Sequence, residues 1–271
     1  MATLQLNDGT LIPTLAFGAG TALYKCGLLD SFDRNTVELI KSAIAAGYRH
    51  LDTAEIYGTE VEVGLAIRES LEEGVIQSRE ELFVTTKISG DFFNSAQYID
   101  VSLPKLGLEY VDLYLIHSLL WANSTIKESR TAKSIGVSGF DPSHLKAISV
   151  TARMPPSINQ LEYHPYFSKR QGKPYLPALR SSDTGNVAVA AYGALVPLTR
   201  NIRGPLDETL IIIAKKHGIT PELRIEEYLR VFDFKLTADD IGKINETGYA
   251  CISTQEPISR ARRYFDSLQT K

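Results

Sequence analysis

The sequence predicts an α/β fold: an incomplete TIM-type (β/α)8 barrel behind an N-terminal β-hairpin, in a single domain over residues 1–271. Short apolar segments alternate with amphipathic segments along most of the chain, and this alternation indicates right-handed crossovers and a parallel sheet. Repetition of the same unit favours a closed barrel, and α/β barrels of this length remain undivided. Two interruptions of the alternation predict that the barrel is incomplete.

The chain begins with two apolar segments, 4–6 and 11–12, on either side of Asn7-Asp-Gly9. Asp-Gly tolerates the positive φ that a tight turn requires, so these segments form the predicted hairpin. The first barrel strand, 15–17, leads into a glycine-rich segment. A dinucleotide-binding fingerprint would need a further glycine at Leu23, and a Rossmann-type site is therefore excluded.

The first helix and the second strand are predicted between about Asn35 and Leu51. The second helix is expected to start at Thr59, whose hydroxyl would cap it while Glu62 completes a capping box. Asp52 and Tyr57 then lie on a strand-to-helix loop. Such loops open on the C-terminal face of a barrel, where reactive groups are presented.

The alternation continues through strands at 82–86, 111–116, 132–137, 157–161 and 187–191, and through helices at about 94–106, 142–149, 207–216 and beyond the capping segment Thr237-Ala-Asp-Asp240. A crossover helix usually needs more room than the roughly 15 residues that follow His117, so helix four is predicted to be mostly missing. Residues 219–232 run directly into a barrel helix, which predicts that strand eight is missing too. The free edges of strands seven and one would then pair directly, be filled by another segment, or belong to an incomplete gene product.

The composition excludes several classes of function. A net charge of -3 and a pI near 6.0 provide no basic field for nucleic acid or for anionic lipid. The two cysteines, Cys26 and Cys251, form no metal-binding pattern and are typical of a reducing compartment. The sequence shows neither a signal peptide nor an apolar segment of the ~20 residues that a membrane span needs. We therefore expect a soluble cytoplasmic protein without a bound metal.

Four reactive side chains lie at or just after the ends of three successive strands: Asp52, Tyr57, Lys87 and His117. Each has an ordinary explanation when it is taken alone, such as a turn carboxylate or a solvated lysine. Parallel strands bring their carboxyl ends together, however, so all four side chains are predicted to converge.

These residues stand within a series of motifs: Asp52-Thr-Ala-x-x-Tyr57-Gly58, Thr86-Lys87, Leu115-Ile-His117, Gly136-Val-Ser-Gly-Phe140, Asn159-Gln-x-Glu-x-His-Pro165 and Ala191-Tyr192-Gly193. In this order, and over nearly the whole chain, the series resembles the aldo-keto reductase family, with a style similar to its fungal members, some of which serve secondary metabolism. The resemblance implies reduction of an aldehyde or ketone with NADP(H).

The resemblance also implies a role for each of the four residues. Tyr57 would donate the proton, because charge develops on the carbonyl oxygen when hydride adds to the carbon. A free phenol has a pKa near ~10, and a neighbouring ammonium makes a phenol more acidic. Lys87 would supply that ammonium, Asp52 would pair with Lys87, and His117 would orient the carbonyl oxygen.

Cofactor contacts are implied for nine residues of this sequence: Thr21, Asp52, Ser138, Gln160, Tyr192, Gly193, Leu195, Arg224 and Glu227. Ser138 and Gln160 match the positions that hold the nicotinamide carboxamide, and Tyr192 matches the ring on which the nicotinamide stacks. Arg224 suits an adenosine 2′-phosphate, which favours NADPH over NADH. The sequence departs from the family at Gly139, where Asn is usual, and in the missing strand-eight loop.

A second hypothesis follows from these departures: a relative that keeps the acid-base residues but has lost the nicotinamide, and serves as an isomerase, dehydratase, binding or regulatory protein. Glu162 is a further inward carboxylate, and His164 is predicted to be structural. We expect a monomer that acts on a small-molecule carbonyl substrate whose identity the sequence leaves open.

Overall fold

The structure is a computed structural model of the chain, and it describes residues 2–25, 31–88, 95–117, 131–152, 155–167, 169–170, 173–180, 184–199, 204–218 and 235–250. Its strands are β1 (Thr3–Gln5), β2 (Leu11–Pro13), β3 (Phe17–Gly18), β4 (His50–Asp52), β5 (Phe83–Ile88), β6 (Val111–Ile116), β7 (Ala132–Ser138), β8 (Ile158–Glu162), β9 (Lys169–Arg170), β10 (Lys173–Pro174) and β11 (Ala188–Tyr192). Its helices are α1 (Arg34–Ala46), α2 (Glu60–Glu72), α3 (Ser95–Leu106), α4 (Pro142–Thr151), α5 (Tyr175–Leu179), α6 (Val196–Thr199), α7 (Pro205–Lys216) and α8 (Ala238–Ala250).

Seven strands form one parallel sheet in the order β11-β8-β7-β6-β5-β4-β3, which curls into a half-barrel. The α/β barrel class predicted from the sequence is therefore confirmed. Side chains alternate across each strand, so the sheet has an inner and an outer face. Leu113, Leu115 and Ile158 belong to the inner cluster, whereas Leu51 and Val84 pack outward against the helices.

The predicted N-terminal hairpin is confirmed as β1 paired with β2, with Gly9 at φ +89° in its turn. Leu6 and Ile12 join the inner cluster. The hairpin tip is tied to the sheet because Ser134 donates to the Asp8 carboxylate and the Asn7 amide donates to the carbonyl of Pro156 at 3.0 Å. The hairpin thus closes the end of the half-barrel opposite the carboxyl ends of the strands.

The helix ends follow local chemistry. The Asp33 side chain accepts the Asn35 amide N–H at the start of α1, and Gly47 ends that helix at φ +107°, a left-handed conformation that glycine adopts without strain. Thr237 and Asp240 exchange side-chain-to-backbone hydrogen bonds of 3.0 and 3.2 Å at the start of α8. The predicted cap of the last helix is therefore confirmed.

The predicted capping box of α2 is wrong, although the helix does follow Thr59. The Thr59 hydroxyl donates instead to the carbonyl of Ala19 at 3.0 Å and lies 3.0 Å from the Thr53 hydroxyl. Glu62 accepts from Lys25 Nζ at 2.5 Å and from the Asp33 amide at 2.8 Å. Tertiary partners outcompete the local cap because both side chains are buried against the preceding loops.

The two predicted gaps fall mainly on residues outside those that the structure describes, namely 118–130 and 219–234. The absence of helix four and of strand eight therefore stays a prediction. Within the described residues, no helix is both long and apolar enough to cross a membrane.

Candidate functional site

The predicted reactive residues converge at the carboxyl ends of three adjacent strands. Asp52 is the last residue of β4, Lys87 is the fifth residue of β5, and His117 directly follows β6. The strands are in register, with Asp52 opposite Thr85 and Lys87 opposite Leu115. Because Asp52, Thr85 and Lys87 alternate with outward-facing residues, their side chains share the inner face of the sheet.

Lys87 is the centre of the cluster, and its side chain is fully buried. Its ammonium donates to Asp52 Oδ1 at 2.5 Å, to the carbonyl of Thr53 at 3.0 Å and to the Tyr57 hydroxyl at 3.3 Å. These three acceptors match the three N–H donors of an ammonium group. Burial acts to lower the pKa of Lys87, but the Asp52 carboxylate and the hydrogen bonds to Asp52 and Tyr57 outweigh it, so the pKa lies above its usual value.

Tyr57 ends a short 3₁₀ turn, Glu55–Tyr57, which Gly58 closes at φ +69°. The loop after β3 packs directly against its ring. A Cβ added at Gly20 would come within 2.8 Å of that ring, and the Lys25 amide donates to the Tyr57 carbonyl at 3.1 Å. The glycine-rich segment therefore makes a close approach to Tyr57, a contact that requires glycine at position 20.

His117 also contacts the phenol of Tyr57. Its Nε2 lies 3.5 Å from the Tyr57 hydroxyl, and the two rings meet edge to face at 5.4 Å between centroids. Burial, together with the neighbouring Lys87 charge, lowers the pKa of His117 to about 3. The imidazole is therefore neutral at physiological pH, and it can donate one N–H to an oxygen placed beside Tyr57. We call Asp52, Tyr57, Lys87 and His117 the proton-donor side, after the role that the family resemblance implies for them.

Four of the predicted cofactor residues lie at or near the carboxyl ends of β7, β8 and β11 in the same sheet. Ser138 and Gln160 are register partners on β7 and β8, and Tyr192 ends β11 opposite Glu162. Gly193 follows at φ +71°. We call Ser138, Gln160, Tyr192 and Gly193 the cofactor side.

The structure gives less information on the other residues that were predicted to contact the cofactor. Thr21 stands after Gly20 at φ +54°, a conformation that is uncommon for threonine, and Leu195 is 38% exposed. Arg224 and Glu227 lie outside the described residues, so their predicted contacts with adenosine stay untested.

A hydrogen bond between Gln160 and Asp52 joins the two sides. The Gln160 amide Nε2 donates to Asp52 Oδ2 at 2.7 Å, across 108 positions of sequence. The sequence placed Gln160 only against the cofactor and carried no signal for this contact, because β8 and β4 are not neighbours in the sheet.

Two residues near Tyr57, namely Tyr24 and Lys25, were not predicted from the sequence to belong to the site. The Tyr24 ring meets the Tyr57 ring edge to face, with centroids 6.1 Å apart. Lys25 forms an ion pair with the fully buried Glu62, which anchors the loop after β3 to α2. Both residues lie in an irregular segment without periodicity, so no pattern in the sequence marks them.

His164, which the sequence suggested to be structural, is buried among rings, with Phe167 and Tyr166 at centroid distances of 6.0 and 6.2 Å. Its Nε2 lies 3.5 Å from Glu162 Oε1. Among the described residues, no group of three or more His, Cys, Asp or Glu side chains could hold a metal ion.

Comparison with known proteins supports the family resemblance seen in the sequence. Residues 16–200 match the family model described as "Aldo/keto reductase family". The chain is 35% identical over 225 residues to the NAD/NADP-dependent indole-3-acetaldehyde reductase of Schizosaccharomyces pombe, a match that covers 78% of this chain and 76% of the relative. It is 36% identical over 272 residues to the oxidoreductase YtbE of Bacillus subtilis, with coverage of 90% and 92%.

A solved structure is similar over the same extent. The crystal structure of a Bombyx mori aldo-keto reductase in complex with NADP superimposes with a TM-score of 0.72 at 31% identity, and the match covers 91% of this chain and 92% of that one.

Proposed function

Because this chain belongs to the aldo/keto reductase family, we propose that it reduces an aldehyde or ketone to an alcohol with NADPH, and that Tyr57 donates the proton. The observation that carries the proposal is the position of the Tyr57 hydroxyl, 3.3 Å from Lys87 Nζ and 3.5 Å from His117 Nε2. A phenol between an ammonium and a neutral imidazole is suited to protonate an oxygen that gains negative charge.

The geometry supports a separate role for each side chain in this proposal. A carbonyl oxygen about 3 Å from both the Tyr57 hydroxyl and the His117 ring would be oriented by both groups. When bound, reduced nicotinamide supplies the hydride that adds to the carbonyl carbon. The Tyr57 O–H bond then breaks and its proton moves to the oxygen, which leaves a phenolate beside Lys87. The buried ammonium stabilises that phenolate, and Asp52 keeps the ammonium charged.

The residues of the cofactor side fit a nicotinamide. Ser138 and Gln160 offer a hydroxyl and an amide at adjacent strand ends, and Tyr192 offers a ring at the next one. These groups would hold a carboxamide and a flat ring, respectively. The preference for NADPH is supported by Arg224 in the sequence and by the Bombyx mori aldo-keto reductase, whose crystal structure is in complex with NADP.

The proposal is tested by titrating the protein with NADPH, followed by turnover of a panel of aldehydes and ketones monitored through NADPH oxidation. We expect saturable binding in the micromolar range and turnover of at least one carbonyl. Absence of saturable binding below millimolar NADPH would reject the reductase and favour the relative without a nicotinamide.

The role of Tyr57 is tested with Tyr57→Phe, which keeps the ring and its packing against Gly20. We expect kcat to fall by roughly 10²–10⁴-fold, the contribution of a positioned acid, with an unchanged Kd for NADPH. Tyr24→Phe is the matched control, since it removes a neighbouring phenol hydroxyl outside the Lys87 cluster. Equal kcat values for Tyr57→Phe and the unaltered protein would disprove the assignment.

A further inference from the structure

The Asp52 carboxylate is held at both oxygens by partners from opposite sides of the cleft. Oδ1 accepts from Lys87 Nζ at 2.5 Å, and Oδ2 accepts from Gln160 Nε2 at 2.7 Å. Lys87 comes from the adjacent strand β5, whereas Gln160 comes from β8, four strands away in the order of the sheet. The two bonds therefore restrain the carboxylate along different directions.

This restraint matters because the terminal torsion of an aspartate is broad and roughly two-fold. A carboxylate with a single partner can turn about its last bond and carry that partner with it. Lys87 Nζ also contacts the Thr53 carbonyl and the Tyr57 hydroxyl, so a shift of Asp52 would disturb both contacts. The position of the ammonium beside the phenol thus depends on what fixes the Asp52 carboxylate.

We propose that Gln160 is a positioning residue for the proton donor: its amide N–H holds the Asp52 carboxylate in the orientation that keeps Lys87 against Tyr57. This inference rests on the proposed reductase function. A neutral amide suits the task, because it donates a charge-assisted hydrogen bond without adding a cation that would compete with Lys87 for the carboxylate.

The same side chain can serve both sides of the cleft, because an amide has a donor end and an acceptor end. The N–H end is occupied by Asp52. The backbone carbonyl of Gln160 accepts from the Gly139 amide at 2.8 Å, whereas the side-chain oxygen Oε1 has no hydrogen-bond donor within the described part of the chain. That oxygen is the end left to accept an N–H of a carboxamide. Cofactor binding and the geometry of the proton donor are then coupled through Gln160.

The donor role is tested with Gln160→Glu, which keeps an oxygen acceptor but turns the donor into a second carboxylate facing Asp52. At neutral pH the two charges repel, and we expect kcat to fall about ten- to a hundredfold, as for loss of a hydrogen bond to a charged group. Two close carboxylates share a proton, which raises the pKa of the pair above that of an ordinary carboxyl. Below that pKa the new carboxyl donates an O–H to Asp52, so the ratio of variant kcat to unaltered kcat rises as the pH falls.

Other titratable groups lie close to Asp52 and residue 160. Dividing the kcat of the variant by the kcat of the unaltered protein removes their effect on the pH profile. His50 precedes Asp52 on the same face of β4, and Glu162 follows Gln160 on the same face of β8. Lys87, Tyr57 and His117 complete the surroundings. All of these residues are present in both proteins, so only the new carboxyl distinguishes the two pH profiles. Gln77→Glu is the matched control, because it makes the same change at an exposed amide beyond the end of α2 and should leave the ratio flat.

A second variant, Gln160→Met, separates positioning from cofactor binding. It removes both ends of the amide and keeps the length of the side chain, so no rescue at low pH is expected. With NADPH saturating, a positioning role predicts that kcat still falls about tenfold, whereas a role confined to the cofactor predicts a higher Kd for NADPH and an unchanged kcat.

The inference is overturned if Gln160→Met keeps the unaltered kcat at saturating NADPH, or if the kcat ratio of a folded Gln160→Glu variant does not change with pH. Thermal unfolding of both variants establishes that they are folded, and Gln160→Met alone decides if Gln160→Glu does not fold. Failure of the proposed function looks different, since the unaltered protein itself would then neither bind NADPH nor reduce a carbonyl.

Discussion

On the proton-donor side, Lys87 is fully buried and donates to three oxygens, and every residue of β4, β5 and β6 is buried. On the cofactor side, β11 is partly exposed along its whole length, and Gly139 and Gly193 adopt positive φ at the ends of their strands. The proton-donor side is held in place by hydrogen bonds and an ion pair within the protein. The cofactor side includes the partly exposed residues of β11 and, at Gly139, open space where a Cβ would lie, as a surface that binds a ligand requires, although Ser138 is buried.

This difference means that the proposed proton donor is pre-organised before any ligand arrives, because the charged groups around it are already paired with one another. An isolated buried ammonium would be costly, and here the cost is offset by Asp52, by the Thr53 carbonyl and by the phenol. Substitutions on the proton-donor side should therefore affect both folding and chemistry. Substitutions on the cofactor side should mainly affect affinity, except at Gln160, which is bonded to Asp52.

The largest effect is expected for Lys87→Met, which leaves Asp52 without its cation. We expect the free energy of unfolding to fall by about 3 kcal/mol, as when one partner of a buried ion pair is removed, and kcat to fall by roughly 10²-fold or more. Urea denaturation and steady-state reduction measure the two quantities.

Lys133→Met is the matched control, because Lys133 pairs with Asp112 from a half-exposed position at the start of β7. Exposed pairs contribute about 0–1 kcal/mol, so this variant should keep its activity and nearly all of its stability. If the two variants were equally stable and equally active, the proton-donor side would not be the more rigid one.

An intermediate effect is expected from the buried neutral His117. Its pKa is lowered from an ordinary value of 6.5 to about 3 in the folded protein. Its contribution to stability is therefore fully present above pH 6.5 and is lost as the pH falls towards 3, by at most about 1.4 kcal/mol per pH unit. His50, whose pKa burial also lowers, gives the same trend in any variant that retains it.

Comparison with His117→Gln isolates this contribution. Urea midpoints measured between pH 7 and pH 4 should fall more steeply for the unaltered protein than for the variant. Parallel curves would show that His117 has the same pKa in the folded and the unfolded protein. His117 would then be as open to solvent as the cofactor side.

The smallest effect is expected for Gly139→Asn on the cofactor side. Gly139 has φ +74°, no atom lies within 4 Å of the point that a Cβ would occupy there, and asparagine tolerates this conformation better than most residues. The new amide can donate to a carboxamide, so we expect NADPH to bind about fivefold more tightly, the contribution of one hydrogen bond, with a stability change below about 1 kcal/mol.

Gly74→Asn is the control, because Gly74 has φ +72° and equally open surroundings but lies at the end of α2. Both variants should show the same small change in unfolding midpoint, and only Gly139→Asn should change the Kd measured by NADPH titration. A loss of affinity in Gly139→Asn would show that the cofactor side has less room than the geometry indicates.

Sequence patterns predicted the strands of the parallel sheet and the long helices, but not the short elements β9, β10, α5 and α6. They also predicted the convergence of Asp52, Tyr57, Lys87 and His117, because the carboxyl ends of parallel strands must meet. They could not predict the partners of Gln160 or Glu62. Those contacts join segments that are distant in the chain, and they depend on side-chain directions that periodicity does not encode. The Thr59 cap failed for the same reason, since a local rule was overridden by the carbonyl of Ala19.

The ion pair between Lys25 and Glu62 limits which residues of the loop after β3 can be exchanged. It ties the segment that carries Thr21 and Tyr24 to α2, the helix that follows Tyr57. This segment and the acid are therefore anchored to the same helix. Because this anchor holds the segment that packs against Tyr57, we expect exchange of Lys25 or Glu62 to disturb the acid. Exchange of exposed residues elsewhere in the segment should leave the acid in place.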